Sequence, residues 1–152
     1  MSLESVRAFF HAKAPDIAVV ETDASSSTVE LAALAHDVEP EQIAKTICLN
    51  VRDTVLLVVT SGTARLDNRK VKEAFGGKGR MLGAEEVLTA TSHPVGGVCP
   101  FGLPSPLPVY CDLSLRRFAE VVPAAGSTNS AVRITTERLA ALTDAVWVDV
   151  CR

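Results

Sequence analysis

A chain of 152 residues, 47% apolar and 22% charged, is the size of one domain with a substantial core. Its net charge of −3 excludes a global electrostatic pull toward nucleic acid or an anionic membrane. No apolar run approaches the ~18 residues of a spanning helix, so no membrane partner is expected.

The elements follow in chain order. Residues 3–13 form an amphipathic helix without the basic and apolar regions of a signal peptide. Residues 17–22 read as a strand. Ser27 and Glu30 fit a capping box that opens a helix through Val29, Leu31, Ala32, Leu34 and Ala35, and His11 and His36 read as helix-surface residues. A short helical turn at 39–45 leads into a strand over 45–51. The chain turns at Arg52-Asp53 and returns over 54–61, a hairpin whose continuous apolar run suggests a central position. Asp67 caps a helix over 68–75 that stops at Gly76-Gly77. A short strand at 79–82 and a short helix at 83–90 precede a loop. Strands are expected at 107–112, 119–126, 131–135 and 145–150, with a turn or short helix at 113–118. A helix capped by Thr135 or Thr136 completes the set. Several strands adjoin in sequence, which favours a mixed sheet with flanking helices over a doubly wound parallel one. The expectation is one α/β domain over residues 1–152.

Residues 92–106, SHPVGGVCPFGLPSP, concentrate three glycines and four prolines. Glycine admits unusual backbone angles and close approach, whereas proline fixes φ, so this is a shaped loop. Shaped loops tend to carry function. Gly96, Gly97, Val98, Cys99 and Pro100 can present successive N–H groups as an anion nest, or can simply solve a packing problem. Lys45 opens the most apolar strand pair, either as a snorkelling lysine or as a cation held rigidly for an oxygen ligand. Cys99 lies six residues from His93, yet no third group completes a nucleophilic set, and His93 reads as a loop-shaping or ligand-contacting residue.

Residues 75–80, FGGKGR, lack a phosphate-loop pattern and follow a helix, so that reading is discarded. Their surroundings hold Arg65, Arg69, Lys70, Lys72, Lys78 and Arg80 against Asp67 and Glu73, a local +4 that leaves −7 for the rest of the chain. This is either a solvated helix face or a phosphate-contacting patch. Cys48, Cys99, Cys111 and Cys151 form no C-x-x-C and no zinc-like spacing. They are expected to be free thiols in a reducing, cytoplasmic setting, with no metal.

The segments IAKTICLNVRDTVLLVVTSGTARLDNRKVKEAFG, TSHPVGGVCPFGL and VVPAAGSTNSAVRITTERLAALT resemble the YbaK/ProX family. These are free-standing aminoacyl-tRNA deacylases related to the editing insertion domain of bacterial prolyl-tRNA synthetases. The resemblance runs from about residue 20 to the end. It implies a compact domain around a curved, partly barrel-like mixed sheet, and no cofactor. The family's lysine falls on Lys45, its G-x-x-x-P loop on Gly96–Pro100 and its small-residue turn on Ala125-Gly126. By this resemblance Lys45, Gly96, Gly97 and Pro100 act at the ester. Val98, Cys99, His93, Phe101, Gly126 and Ser130 surround the aminoacyl group, and the 65–80 patch contacts tRNA. The implied activity is hydrolysis of mischarged aminoacyl-tRNA, Ala- or Cys-tRNA(Pro), acting on its acceptor end, with prolyl-tRNA synthetase as a further partner. A binding module of the same fold without hydrolysis is the alternative. Family members often carry T-G-H or T-G-Y before the loop, where this chain has Thr91-Ser92-His93. A glycine there with φ > 0 would leave Ser92 strained or alter the loop entry.

Overall fold

The turn at Arg52-Asp53 sets the register at the centre of the fold. In the computed structural model, which describes residues 2–152, both turn residues adopt left-handed angles (φ 53° and 64°), the pattern of a two-residue type I′ hairpin. The Asn50 Oδ1 accepts the Asp53 N–H. Strands β2 (Ile43–Val51) and β3 (Thr54–Ser61) pair antiparallel, from Val51 opposite Thr54 to Ala44 opposite Ser61. β3 continues to a parallel β5 (Val109–Asp112), and β5 to a parallel edge strand β9 (Val146–Val148).

On its other side β2 divides its edge. Parallel β6 (Glu120–Pro123) takes Ile43 and Ala44, while antiparallel β4 (Gly79–Met81) takes Leu49 to Val51. β8 (Ile134–Thr135) closes that side against β6, and β1 (Val20–Glu21) pairs with β7 (Ser130–Ala131) as a separate ribbon. The product is one compact α/β domain with a curled, half-barrel mixed sheet, as expected. Among the described residues no helix is long and apolar enough to cross a membrane.

Period-2 alternation sends β3 into two cores. Leu57 and Val59 join Val6 and Phe10 of α1 (Ser2–Lys13), Phe101, Leu115 and Leu139 of α5 (Thr136–Thr143). Leu56 and Val58 join Leu49, Val150 and Val71 of α3 (Asn68–Phe75) on the opposite face. Asp67 caps α3 by accepting the Arg69 and Lys70 N–H groups, and Gly76 ends it at φ 75°. Thr135 caps α5.

Several boundaries differ from the sequence expectation. β2 starts at Ile43, and the turn before it is a single 3₁₀ stretch, Pro40–Gln42. The strand expected at 17–22 pairs only at Val20–Glu21, and that at 131–135 is split between β7 and β8. The strands expected at 107–112, 119–126 and 145–150 are shorter, at Val109–Asp112, Glu120–Pro123 and Val146–Val148. Helix α2 (Val29–His36) is capped by Thr28, whose hydroxyl accepts the Leu31 N–H, not by Ser27. His36 is 8% exposed rather than on the surface, and its carbonyl accepts from Arg133.

Helix α4 (Ala84–Thr91) ends at Ser92 with φ 67° and ψ 6°, its N–H donating to the Leu88 carbonyl. Ser92 therefore adopts the left-handed conformation that glycine favours. Ser92→Gly is expected to stabilise the protein by about 0.5–1 kcal/mol, the left-handed penalty less glycine's chain entropy, read as a higher urea midpoint with an unchanged slope. His36 and His93 are both held below the ordinary histidine value of 6.5, burial being the main cause. The unfolded chain therefore takes up protons first, so stability should fall as pH drops below about 6.5. The urea midpoint at pH 5.5 should lie below that at pH 7.5, with a smaller gap in His36→Gln.

Candidate active site

The divided edge of β2 leaves residues 45–48 with β3 on one side and no strand on the other. This gap opens on a cavity of about 260 Å³. The segment Ser26–Thr28, the first turns of α2, the loop residues Val95, Gly96 and Val98, and Ser130-Ala131 complete its wall. The wall is mainly apolar. Its ionisable side chains are Lys45 and Cys48, and burial pushes the Cys48 thiol up to about 11.

Lys45 also lines a second, more open groove of about 660 Å³ that carries Arg65, Arg152 and Glu30. Val29, Ile47 and Met81 belong to both spaces, so Lys45 stands at their junction. Its Nζ donates to the Ala64 carbonyl at 2.6 Å. Desolvation lowers its pKa from the ordinary lysine value, with Arg65 adding to the effect and Cys151 and Glu30 opposing it. A half-buried cation whose fixed partner is one neutral carbonyl keeps donor capacity for an incoming oxygen.

The loop glycines serve close approach. Gly96 has φ 92°, and a Cβ there would lie 2.9 Å from Ser27 Cβ. At Gly97 a Cβ would meet the Ser127 backbone at 2.8 Å. The Gly97 N–H donates to the Pro94 carbonyl, and its own carbonyl accepts the Gly126 N–H, both at 2.9 Å. Gly126, at φ 94°, lies against the Ser2 backbone, where a Cβ would meet the carbonyl oxygen at 2.7 Å. The sequence pattern allowed a row of outward amides through Gly97. The structure spends that amide inside the loop and pins the loop onto residues 126–127.

Lys45, Gly96, Val98 and Ser130 come together around the cavity. The Ser130 hydroxyl shares a 2.6 Å hydrogen bond with Ser127 Oγ. Gly97, Pro100 and Gly126 lie behind the wall as buried supports. His93, Cys99 and Phe101 are fully buried in the core and do not reach the cavity. The His93 Nε2 lies 2.7 Å from the Phe101 carbonyl and 3.6 Å from Cys99 Sγ, and Phe101 packs on Phe9 and Phe10. Burial pushes the Cys99 thiol up to about 12, which removes the thiolate a nucleophile needs. All four cysteines are free and buried.

The basic patch divides. Arg65 lines the groove. Lys70 is bound to Asp149 and the Cys151 carbonyl, each at 2.9 Å. Arg80 pairs with both Glu86 oxygens, at 3.1 and 3.0 Å, and this contact holds the Glu86 carboxyl at about 2. Arg69, Lys72 and Lys78 are exposed and form no salt bridge among the described residues. Ser26, Thr28, Thr46 and Cys48 in the cavity wall and Arg152 in the groove carry no motif in the sequence. The run of hydroxyls at 25–28 is the one local signal for the first two, and it also fits a helix cap.

The curled α/β domain is YbaK-like, and in it Lys45 stands where a mainly apolar cavity meets a cationic groove. Residues 22–142 match the aminoacyl-tRNA editing domain, and the chain belongs to that family. Over its whole length it is 46% identical to the uncharacterized protein YwhH of Bacillus subtilis (strain 168), covering 98% of that protein. A solved structure described as a candidate trans-editing enzyme for prolyl-tRNA synthetase is 34% identical and superposes with a TM-score of 0.92, covering 99% of this chain and 97% of that one. The hypothetical protein APE2540 is 29% identical at a TM-score of 0.90, with 97% and 99% covered.

Two substitutions separate support from chemistry. Gly97→Ala is expected to cost about 1–3 kcal/mol in urea denaturation, because its methyl meets backbone that cannot rotate away. Cys99→Ala should leave any release of amino acid from mischarged tRNA within about twofold of wild type, since a buried neutral thiol supplies no nucleophile. A deacylation time course on the folded variant reads it.

Proposed function

We propose that the whole chain, residues 1–152, is a free-standing hydrolase that removes the amino acid from mischarged tRNA in the cytoplasm, with Ala- or Cys-tRNA(Pro) as substrate. The observation that carries this reading is the position of Lys45 between two unlike spaces. The mainly apolar cavity suits the amino-acid side chain, and the larger, cationic groove suits the terminal nucleotide. The ester joining those two moieties then lies beside the Lys45 ammonium. An aminoacyl ester is already activated, so orientation, a cation at the carbonyl or ribose oxygen and access for water suffice. Water adds to the ester carbonyl carbon, the bond to the ribose oxygen breaks, and that oxygen leaves with a proton, giving free amino acid and tRNA.

No carboxylate or imidazole lines the cavity, and Glu30 is a carboxylate on the groove side; the attacking water passes its proton to the substrate's vicinal ribose hydroxyl, which hands its own proton to the departing ester oxygen. The same observation favours the second reading, a binding module that holds aminoacyl-tRNA without turnover. Sparing Pro-tRNA(Pro) needs a contact that rejects the larger ring, because one methylene alone is worth only ~1–3 kcal/mol. Prolyl-tRNA synthetase is the partner that would deliver the mischarged tRNA.

Deacylation of Ala-, Cys-, Ser- and Pro-tRNA(Pro), with wild type beside Lys45→Ala, tests this. Release from one mischarged species, intact Pro-tRNA(Pro) and a loss of ~100-fold or more in a folded Lys45→Ala protein are expected. Binding without release under single-turnover conditions would select the binding module. In filter binding, replacing Arg69, Lys72 and Lys78 together by alanine should weaken tRNA affinity and lower the salt slope by about 1 per lost phosphate contact. Arg80→Ala should do less, since Glu86 already neutralises that cation.

A further inference from the structure

Thr46 is the most polar unused position at the gap in the sheet. The two-residue turn makes the odd residues of β2, from Val51 back to Lys45, exchange hydrogen bonds with β3. The even residues direct their main-chain groups to the opposite edge. There Ala44 is taken by β6, the Cys48 carbonyl accepts the Leu82 N–H at 3.1 Å, and Asn50 lies opposite β4. Thr46 lies between them with no strand beside it. Its hydroxyl Oγ1 is screened from solvent and has no hydrogen-bond partner, although the residue lines the cavity. An unsatisfied buried hydroxyl is destabilising, and one staggered step about χ1 re-aims it.

The remaining polar groups of the wall show what it lacks. Lys45 is a donor only. The Ser26 hydroxyl donates to the Thr128 carbonyl, Ser27 Oγ accepts from Ser25, Thr28 Oγ1 accepts the Leu31 N–H at the start of α2, and Ser130 is engaged with Ser127, so among the wall hydroxyls Thr46 alone has no partner among the described residues. Along an aminoacyl ester, the carbonyl and ribose oxygens need donors, but the α-amino group needs an acceptor. Successive β2 side chains also point to opposite faces. Ala44 and Cys48, two residues either side of Thr46, belong to the core on the cavity side, whereas Ile47 and Leu49 belong to the other. Lys45 and Thr46 therefore straddle the strand, one toward the groove and the other toward the cavity.

We propose that Thr46 is the residue that reads the α-amino group of the bound aminoacyl ester, accepting its N–H with Oγ1 and with the main-chain carbonyl left free at the open edge. This rests on the editing reading of the site and adds a specificity-determining residue to it. The group distinguishes an aminoacyl ester from a simple acyl ester of the same size.

The test uses tRNA(Pro) carrying alanine or propionate through a non-hydrolysable 3′-amide link, titrated into wild type, Thr46→Val and Thr46→Ser by fluorescence anisotropy. Wild type should bind the alanyl form about tenfold or more tightly than the propionyl form, the scale of one buried hydrogen bond. Thr46→Val should lose that preference while binding the propionyl form within about twofold of wild type, and Thr46→Ser should restore it. A preference unchanged in Thr46→Val, or an equal loss on both ligands, would overturn the assignment. Because the ligands cannot be hydrolysed, the outcome is independent of turnover. A Thr46-dependent preference in a protein that releases no amino acid would leave Thr46 in place and sink the hydrolase reading. Hydrolysis without that preference would do the reverse.

Discussion

β2 has two partners on one edge, and the four residues between them belong to neither. A strand edge left open inside a protein must be covered or used, because its N–H and C=O groups cannot remain unsatisfied without penalty. Here the open stretch is roofed by loop residues and the first turns of α2 without a strand closing it, and the space so left is the cavity. Lys45 and Thr46 occupy that stretch, so they are held by the full ladder of β2 on β3. A side chain on a paired strand is positioned far more precisely than one on a loop.

The roof is as constrained as the floor. Gly96 fits against Ser27, Gly97 against Ser127 and Gly126 against Ser2, each at a separation that no side chain would allow. The Gly97 carbonyl ties the two loops together through the Gly126 N–H. Behind them the buried His93, Cys99 and Phe101 cluster links the loop to α1. These groups lie behind the wall and do not line the cavity. A site that works by orientation needs such support, since a displacement of about 1 Å in an aligned ester can lose ~10²-fold in rate.

Charge is arranged on the same plan. The chain as a whole is acidic, but Lys45, Arg65 and Arg152 collect at the groove, and the exposed Arg69, Lys72 and Lys78 belong to the neighbouring helix and its following turn. The cavity wall carries no carboxylate, and Glu30 faces Lys45 from the groove side. The apolar space and the cationic space therefore meet along one strand, which matches a ligand that is apolar at one end and phosphorylated at the other.

Much of this was legible in the residues. The Arg52-Asp53 hairpin, the Asp67 cap and Gly76 stop of α3, and the Thr135 cap of α5 follow from local chemistry acting over a few residues. Lys45 stood out as a cation in an apolar strand, and the 96–100 loop as over-specified backbone. Those signals fit a mixed α/β fold, and the family follows from the resemblance of the three long segments that contain Lys45, the 96–100 loop and the Ala125-Gly126 turn. The lengths of the short strands, the burial of His36, the withdrawal of His93, Cys99 and Phe101 from the cavity, and the places of Thr46 and Arg152 were decided elsewhere. Each depends on which distant segment arrives beside it: β6 and β4 on the open edge of β2, α1 behind Phe101, Arg133 on His36. Propensity, capping and periodicity act along the chain, whereas a cavity is the space left between segments that the chain brings together. The sequence by itself determined the elements and the residue types fit for the chemistry, and only the tertiary structure decided which of them face the cavity, because that depends on long-range pairing.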